Sequence, residues 1–291
     1  MAQQGELGQR KAATPAGMSK QRGPSTDARG MIVTADRAID TFGQFLKQNM
    51  RALAAVVPKH MRPERLARVM LNEMRRVPRL AGCTVQSLAG TFFQASQLGL
   101  ETGAALGHAY LVPFKNNRIG RDEAVLVVGY KGFADLVHRS NRVDSISMEA
   151  VFDGDEYEWE LGSRPVLRHK PNLDLDRTNP ALVIFTYSVI FPKGGGQPSF
   201  KVMSRKELDR IRARSKARDD GPYVTDPIAM MLKAPVRQVC KLAPVSVETA
   251  RAVAVDEQAD VGLDQVLDVP HEVIDGAAVL DAVEERAGGS D

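Results

Sequence analysis

Apolar residues recur along this chain first at helical spacing, then at every second position, then at helical spacing again. That order predicts helices, then strands, then helices. From Thr34 onward, Ile39, Phe42, Phe45 and Leu46 share one face of a first helix. Pro63 with Glu64 beside it opens a second, whose stripe of Leu66, Val69, Met70, Met74 and Val77 ends at Pro78. Thr84 caps a third, which runs through Leu88, Phe92, Ala95 and Leu98 to a stop at Gly99.

The period then shortens. Ala109 to Phe114, a turn over Asn116 and Asn117, and Glu123 to Val128 read as a hairpin. Gly129 and Gly132 bracket Tyr130 and Lys131 before a helix carrying Phe133, Leu136 and Val137. Strands follow at Val143 to Val151, Glu156 to Leu161, Val166 to His169, Leu182 to Phe191 and Ser199 to Met203. Ser204 and Glu207 have the spacing of a capping box, so a helix starts there. Asp226 and Pro227 open another, with Ile228, Met231, Leu232, Val236 and Val239 as its apolar positions. Pro235 lies inside it, where a proline costs about 3 kcal/mol unless the helix kinks. The expected fold class is α+β, helices flanking a central, mainly antiparallel sheet.

Residues 1 to about 30 hold almost no large apolar side chain and are expected to be disordered. Residues 31–250 form the expected folded domain, since 43% hydrophobic composition can bury one sizeable core. From Asp256 to Asp291 there are 11 acidic residues against one basic, Arg286, a net charge of −10. Residues 251–291 are therefore taken as an acidic, mostly flexible tail. Residues 1–255 carry 38 Lys and Arg against 25 Asp and Glu, a net +13 that attracts polyanions. No apolar run approaches the roughly 18 residues of a membrane span, and the polar N-terminus has no apolar core of a secretory signal. Two cysteines, Cys83 and Cys240, make no disulfide framework, and a reducing cytoplasm is the expected setting.

The charge concentrates on two helices. Between Ser204 and Arg218 stand seven basic residues and two acidic ones, and at 100° per residue Arg205, Arg212 and Lys216 share a face with Asp209, while Leu208 and Ile211 point to a core. Lys233, Arg237 and Lys241 recur every four residues and make a second cationic stripe. Two such stripes can line one groove, although each can also be a plain solvated helix face. Lys131 sits between glycines at a strand-to-helix junction, where backbone NH groups can meet an anion or simply form a turn. The P-loop spacing is absent, and the histidines His60, His108, His138, His169 and His271 are scattered, without zinc-site spacing. Asp153, Asp155, Glu156, Glu158 and Glu160 could suggest a metal site. In a strand, however, the three glutamates face one way and Tyr157 and Trp159 the other, which is a half-buried strand with a charged exterior. Aromatics are only 5% of the chain and do not interleave with the basic helix. A grip on phosphates therefore fits better than base stacking, and it leaves pairing edges free. Tyr130, Phe114 and Tyr223 are the aromatic side chains that could stack instead.

Leu98-Gly99-Leu100-Glu101, Gly107-His108-Ala109-Tyr110-Leu111-Val112-Pro113-Phe114, Gly129-Tyr130-Lys131-Gly132 and Val202-Met203-Ser204-Arg205 together resemble the RecT family of phage and prophage recombinases. Arg214-Ser215-Lys216-Ala217, Gly221-Pro222-Tyr223-Val224-Thr225-Asp226 and Leu242-Ala243-Pro244-Val245-Ser246 continue the likeness in order. The resemblance implies the fold of the superfamily that includes the lambda Beta protein. It also implies annealing of single-stranded DNA without ATP, by a ring or helical filament of identical subunits. It further implies partners, a 5′ to 3′ exonuclease and a host single-strand binding protein, in the cytoplasm of a bacterial host. Retention of the nascent duplex is expected, with no catalytic residues and no cofactor beyond magnesium as a modulator. Carried over by motif, Lys131, Arg205, Ser215 and Lys216 are expected on the DNA backbone; the stripe reading adds Arg139, Arg212, Lys233, Arg237 and Lys241. Two positions depart from the family pattern: Arg62 stands where a Ser or Thr cap is usual, and Pro235 stands in a helix interior usually free of proline. The competing readings are a passive single-strand coat and a metal-dependent nuclease built on the acidic residues near Asp155.

Overall fold

Local signals start several helices where the sequence places them. In the computed structural model, residues 26–288 are described apart from 104, 216–217, 220–221, 244, 263–264 and 266–268, with backbone alone for 26–34 and 283–288. The expected disordered segment lies mostly outside them, and Thr26 already opens α1 (Thr26–Gln48). A short α2 (Met50–Val56) precedes α3 (Pro63–Arg76), where Arg62 at the cap position supplies no side-chain bond. Thr84 caps α4 (Val85–Gln97), its hydroxyl accepting from the Ser87 NH at 3.2 Å.

β1 (Ala109–Asn116) and β2 (Arg121–Val128) form the expected hairpin in unbroken antiparallel register. After α5 (Tyr130–Arg139) come β3 (Val143–Phe152), β4 (Glu156–Glu160), β5 (Val166–Lys170), β6 (Val183–Pro192) and β7 (Ser199–Ser204). Among the described residues these strands pair with one another in antiparallel fashion, in keeping with the expected mainly antiparallel α+β class. The single central sheet is instead divided among the described residues into β1-β2, β3-β6-β7 and β4-β5. Then follow α6 (Arg205–Arg214), α7 (Pro222–Thr225), α8 (Pro227–Cys240), α9 (Val247–Val261) and α10 (His271–Gly288).

The stretch after residue 250 corrects the reading of a mostly flexible tail. Ala252, Val253 and Val255 of α9 and Val273 and Ala277 of α10 are buried in the same core as Phe42, Phe92 and Leu126. The acidic residues do structural work. The outward NH groups of β2 are satisfied by side chains, Ala124 by Ser87 at 2.9 Å, Leu126 by Gln265 at 2.9 Å and Val128 by Asp256 at 3.0 Å. An edge strand that would otherwise offer itself to another chain is thereby closed. Asp281 of α10 accepts from the first two NH groups of α4, Val85 and Gln86, at 2.9 and 3.0 Å, where the helix dipole favours a carboxylate.

Pro235 sits inside α8 and cannot donate to the carbonyl four residues back, that of Met231. The buried Thr186 hydroxyl of β6 donates to that oxygen instead, at 3.1 Å. Cys83 and Cys240 are buried free thiols, each pushed up to about 12 by burial.

Candidate nucleic-acid interface

The capping box that begins α6 is complete: the Ser204 hydroxyl accepts from the Glu207 NH, and the Glu207 carboxylate accepts from the Ser204 NH at 2.8 Å. Leu208 is buried against Met203, Met231 and Ala234, with Ile211 packed beside it. That anchoring fixes which α6 side chains face water. Lys206, Arg210 and Arg214, four residues apart, are exposed and make no ion pair among the described residues.

Three of the four residues expected on the DNA in this region have partners within the fold. Arg205 pairs with Asp209 at 2.9 Å and donates to the carbonyls of Pro180 and Val183 at 2.7 and 3.2 Å, so it fastens the helix to the start of β6. Arg212 donates to the Arg218 carbonyl at 3.1 Å and closes the turn behind the helix. Ser215 is buried and hydrogen-bonds the Tyr223 hydroxyl. Lys216 lies outside the described residues. The sequence held the signal for the exposed stripe, since positions 206 and 210 lie nearly opposite Leu208 and 214 continues their row.

The second expected stripe is corrected more sharply. Lys233 and Arg237 are 3% and 6% exposed. Lys233 pairs with Asp256 at 2.6 Å; Arg237 pairs with Asp256 at 2.9 Å and also with Asp260. Burial pushes the Asp256 carboxyl upward, and the two cations draw it part of the way back. Lys241, partly exposed, pairs with Glu257 at 2.5 Å. Since α8 is apolar almost all round, its cations are carried inside with it and need counter-charges, which α9 supplies. Arg139 is also occupied. It pairs with Asp135 and donates to the Leu98 carbonyl, each at 2.9 Å, over Gly99, where a Cβ would lie 2.6 Å from its guanidinium.

Lys131 is exposed in the first turn of α5. The flanking glycines are required by close packing: a Cβ on Gly129 would fall 2.2 Å from the Gly107 carbonyl oxygen, and one on Gly132 2.1 Å from that of His108. The Tyr110 hydroxyl and the Lys131 stem converge over Gly107. Burial and the neighbouring Asp226 carboxylate raise the Tyr110 phenol. Further along β1, Val112 and Phe114 share a small cavity with Ser215, Pro222 and Tyr223. The outer side of β1 thus runs from Lys131 and Tyr110 toward the C-terminal end of α6. Tyr223 is buried, so it is not a free stacking ring.

The acidic residues form no metal group among those described. Asp155 turns inward and accepts from the NH groups of Phe152 and Asn172, each at 2.8 Å, and from Arg177 and His169. Burial alone would raise its carboxyl, and these donors hold it well below the usual carboxylate range. Glu156 and Glu158 pair across the strands with Lys170 and Arg168. β4 is exposed along its whole length rather than half-buried, even though the Tyr157 ring meets Phe185 of β6 edge-on.

Two comparisons match this chain to known proteins. The sequence profile of the RecT family matches residues 64–270. The chain is 41% identical to Protein RecT of Escherichia coli (strain K12) over 231 residues, 77% of this chain and 84% of that protein.

Proposed function

Since this chain belongs to the RecT family, whose members anneal single-stranded DNA in recombination, we propose that it grips one strand by its phosphates along Lys206, Arg210 and Arg214 of α6 and Lys131 of α5. The carrying observation is the exposed α6 stripe, three cations at one-turn spacing with no ion pair among the described residues. Phosphate contacts fix the strand's position while its bases remain free to pair. Ser215 and Arg212 border that track, and Lys216 keeps its sequence-based assignment as a backbone contact; Arg205 and Arg139 set the elements that carry it, while Lys233, Arg237 and Lys241 act through the fold. Subunits stand side by side in a ring or filament so that the tracks join. The rate gain comes from concentrating strands and screening their repulsion. No bond is broken, no nucleoside triphosphate is used, and magnesium only modulates the pairing. A 5′ to 3′ exonuclease supplies the single strand and a host single-strand binding protein yields it.

Mixing complementary labelled oligonucleotides with the protein, without ATP, tests the proposal. Faster duplex formation with the duplex retained is expected. Slower pairing would mark a passive coat, and shortened strands in magnesium would mark a nuclease.

A further inference from the structure

The two parts of the proposed track stand on different elements, α6 on one side and the β1–β2 hairpin with the start of α5 on the other, and Tyr223 is wedged between them. Its ring borders two small cavities, one shared with Leu208, Ile211 and Arg212 of α6, the other with Val112, Phe114 and Val127 of the hairpin. Tyr223 is 7% exposed, so its ring packs as a spacer and its hydroxyl needs a partner. That partner is the Ser215 hydroxyl, on the residue that follows Arg214 at the end of α6. From the phenol the polar contacts continue inward. Burial raises the Tyr223 phenol, with the Asp260 carboxylate adding to the rise and the Arg237 guanidinium opposing it, which places the hydroxyl in the field of that pair. Arg237 holds Asp260 and Asp256 together, and Asp256 accepts from the Val128 NH at 3.0 Å. Val128 ends β2, and Lys131 follows three positions later in the first turn of α5. One buried network thus spans from the residue after Arg214 to the strand that leads into Lys131.

We propose that Tyr223 is a positioning residue for strand binding: its hydroxyl holds the end of α6 at a fixed distance from the start of α5, so that Arg214 and Lys131 engage one strand together. The proposal rests on the phosphate-gripping reading and assigns the part that sets its spacing. Two cations held at a fixed separation strengthen each other, because the second contact needs no further ordering once the first is made. Two cations on elements free to shift act independently. The ring without its hydroxyl still fills the space between α6 and the hairpin, so packing and positioning can be separated.

The test is oligo-dT affinity of the full-length protein for Lys131→Gln, Arg214→Gln and the two together, each with and without Tyr223→Phe. In the unmodified background the double variant should lose less than the product of the single losses, by about threefold or more, as expected for residues coupled through one network. With Tyr223→Phe the two losses should simply multiply. Tyr223→Phe alone should weaken binding by about the same threefold, while its melting temperature falls by no more than about 4 °C, the scale of one lost hydrogen bond. Ser215→Ala removes the same bond from its other end, so it carries the test even if the phenylalanine variant folds poorly, and it should reproduce each result. Losses that multiply in the unmodified protein, or coupling that survives both Tyr223→Phe and Ser215→Ala, would overturn the positioning role and leave the phosphate grip standing. Lys131→Gln and Arg214→Gln proteins that bind oligo-dT as tightly as the unmodified one would refute the phosphate grip, and the positioning role with it.

Discussion

Helices α6 and α8 carry the same signature, basic residues repeating every four positions, and the fold treats them in opposite ways. Lys206, Arg210 and Arg214 stay in water because α6 buries a narrow face, Leu208 with Ile211. Lys233 and Arg237 are enclosed because Met231, Ala234, Val236 and Val239 surround them on a helix buried between β6 and α9. The difference teaches that charge spacing marks a helix face, whereas the apolar content of the whole helix decides whether that face meets water. It also explains the acidic C-terminal stretch: Asp256 and Asp260 are the counter-ions that let α8 go inside.

The contrast is broken most severely by removing the counter-ion. Asp256→Ala leaves Lys233 and Arg237 buried and the Val128 NH without an acceptor, and should cost about 3 to 5 kcal/mol in chemical denaturation. A change below about 1 kcal/mol would mean that α8 is not sealed by α9. Thr186→Val tests the same helix at Pro235. It strips the Met231 carbonyl of its substitute donor and should lower stability by about 1 to 3 kcal/mol, read as a lower urea midpoint with an unchanged slope. The mildest change is Lys241→Gln, which removes a partly exposed pair with Glu257 and should cost less than about 1 kcal/mol. Its measured value, set beside that of Asp256→Ala, gives the gradient from the buried to the wet end of one stripe.

What the sequence made legible was local. The Thr84 cap, the Ser204 capping box, the β1–β2 hairpin and the stop of α3 before Pro78 each depend on residues a few positions apart, and all stand in the structure. Gly129 and Gly132 marked a special backbone position, but the Gly107 and His108 carbonyls that approach them, some twenty residues upstream, were not legible. What escaped depended on distant partners. Arg205 reads as a surface cation until the Pro180 and Val183 carbonyls are placed beside it. Lys233 and Arg237 read as a groove until α9 folds back over them. Residues 251–291 read as a tail because their negative charge outweighs a weak apolar pattern, and their targets, the β2 edge and the α4 N-terminus, lie more than a hundred residues upstream. The division of the strands into three sheets follows from pairings that hairpin signals alone do not specify.

The central claim, that α6 and not α8 meets the DNA backbone, is tested most directly by the salt dependence of oligo-dT binding. Replacing Lys206, Arg210 and Arg214 together by Gln should leave the melting temperature unchanged, weaken binding, and make the plot of log K against log salt shallower by about 2, at roughly 0.7 per lost phosphate contact. A slope equal to that of the unmodified protein would contradict it.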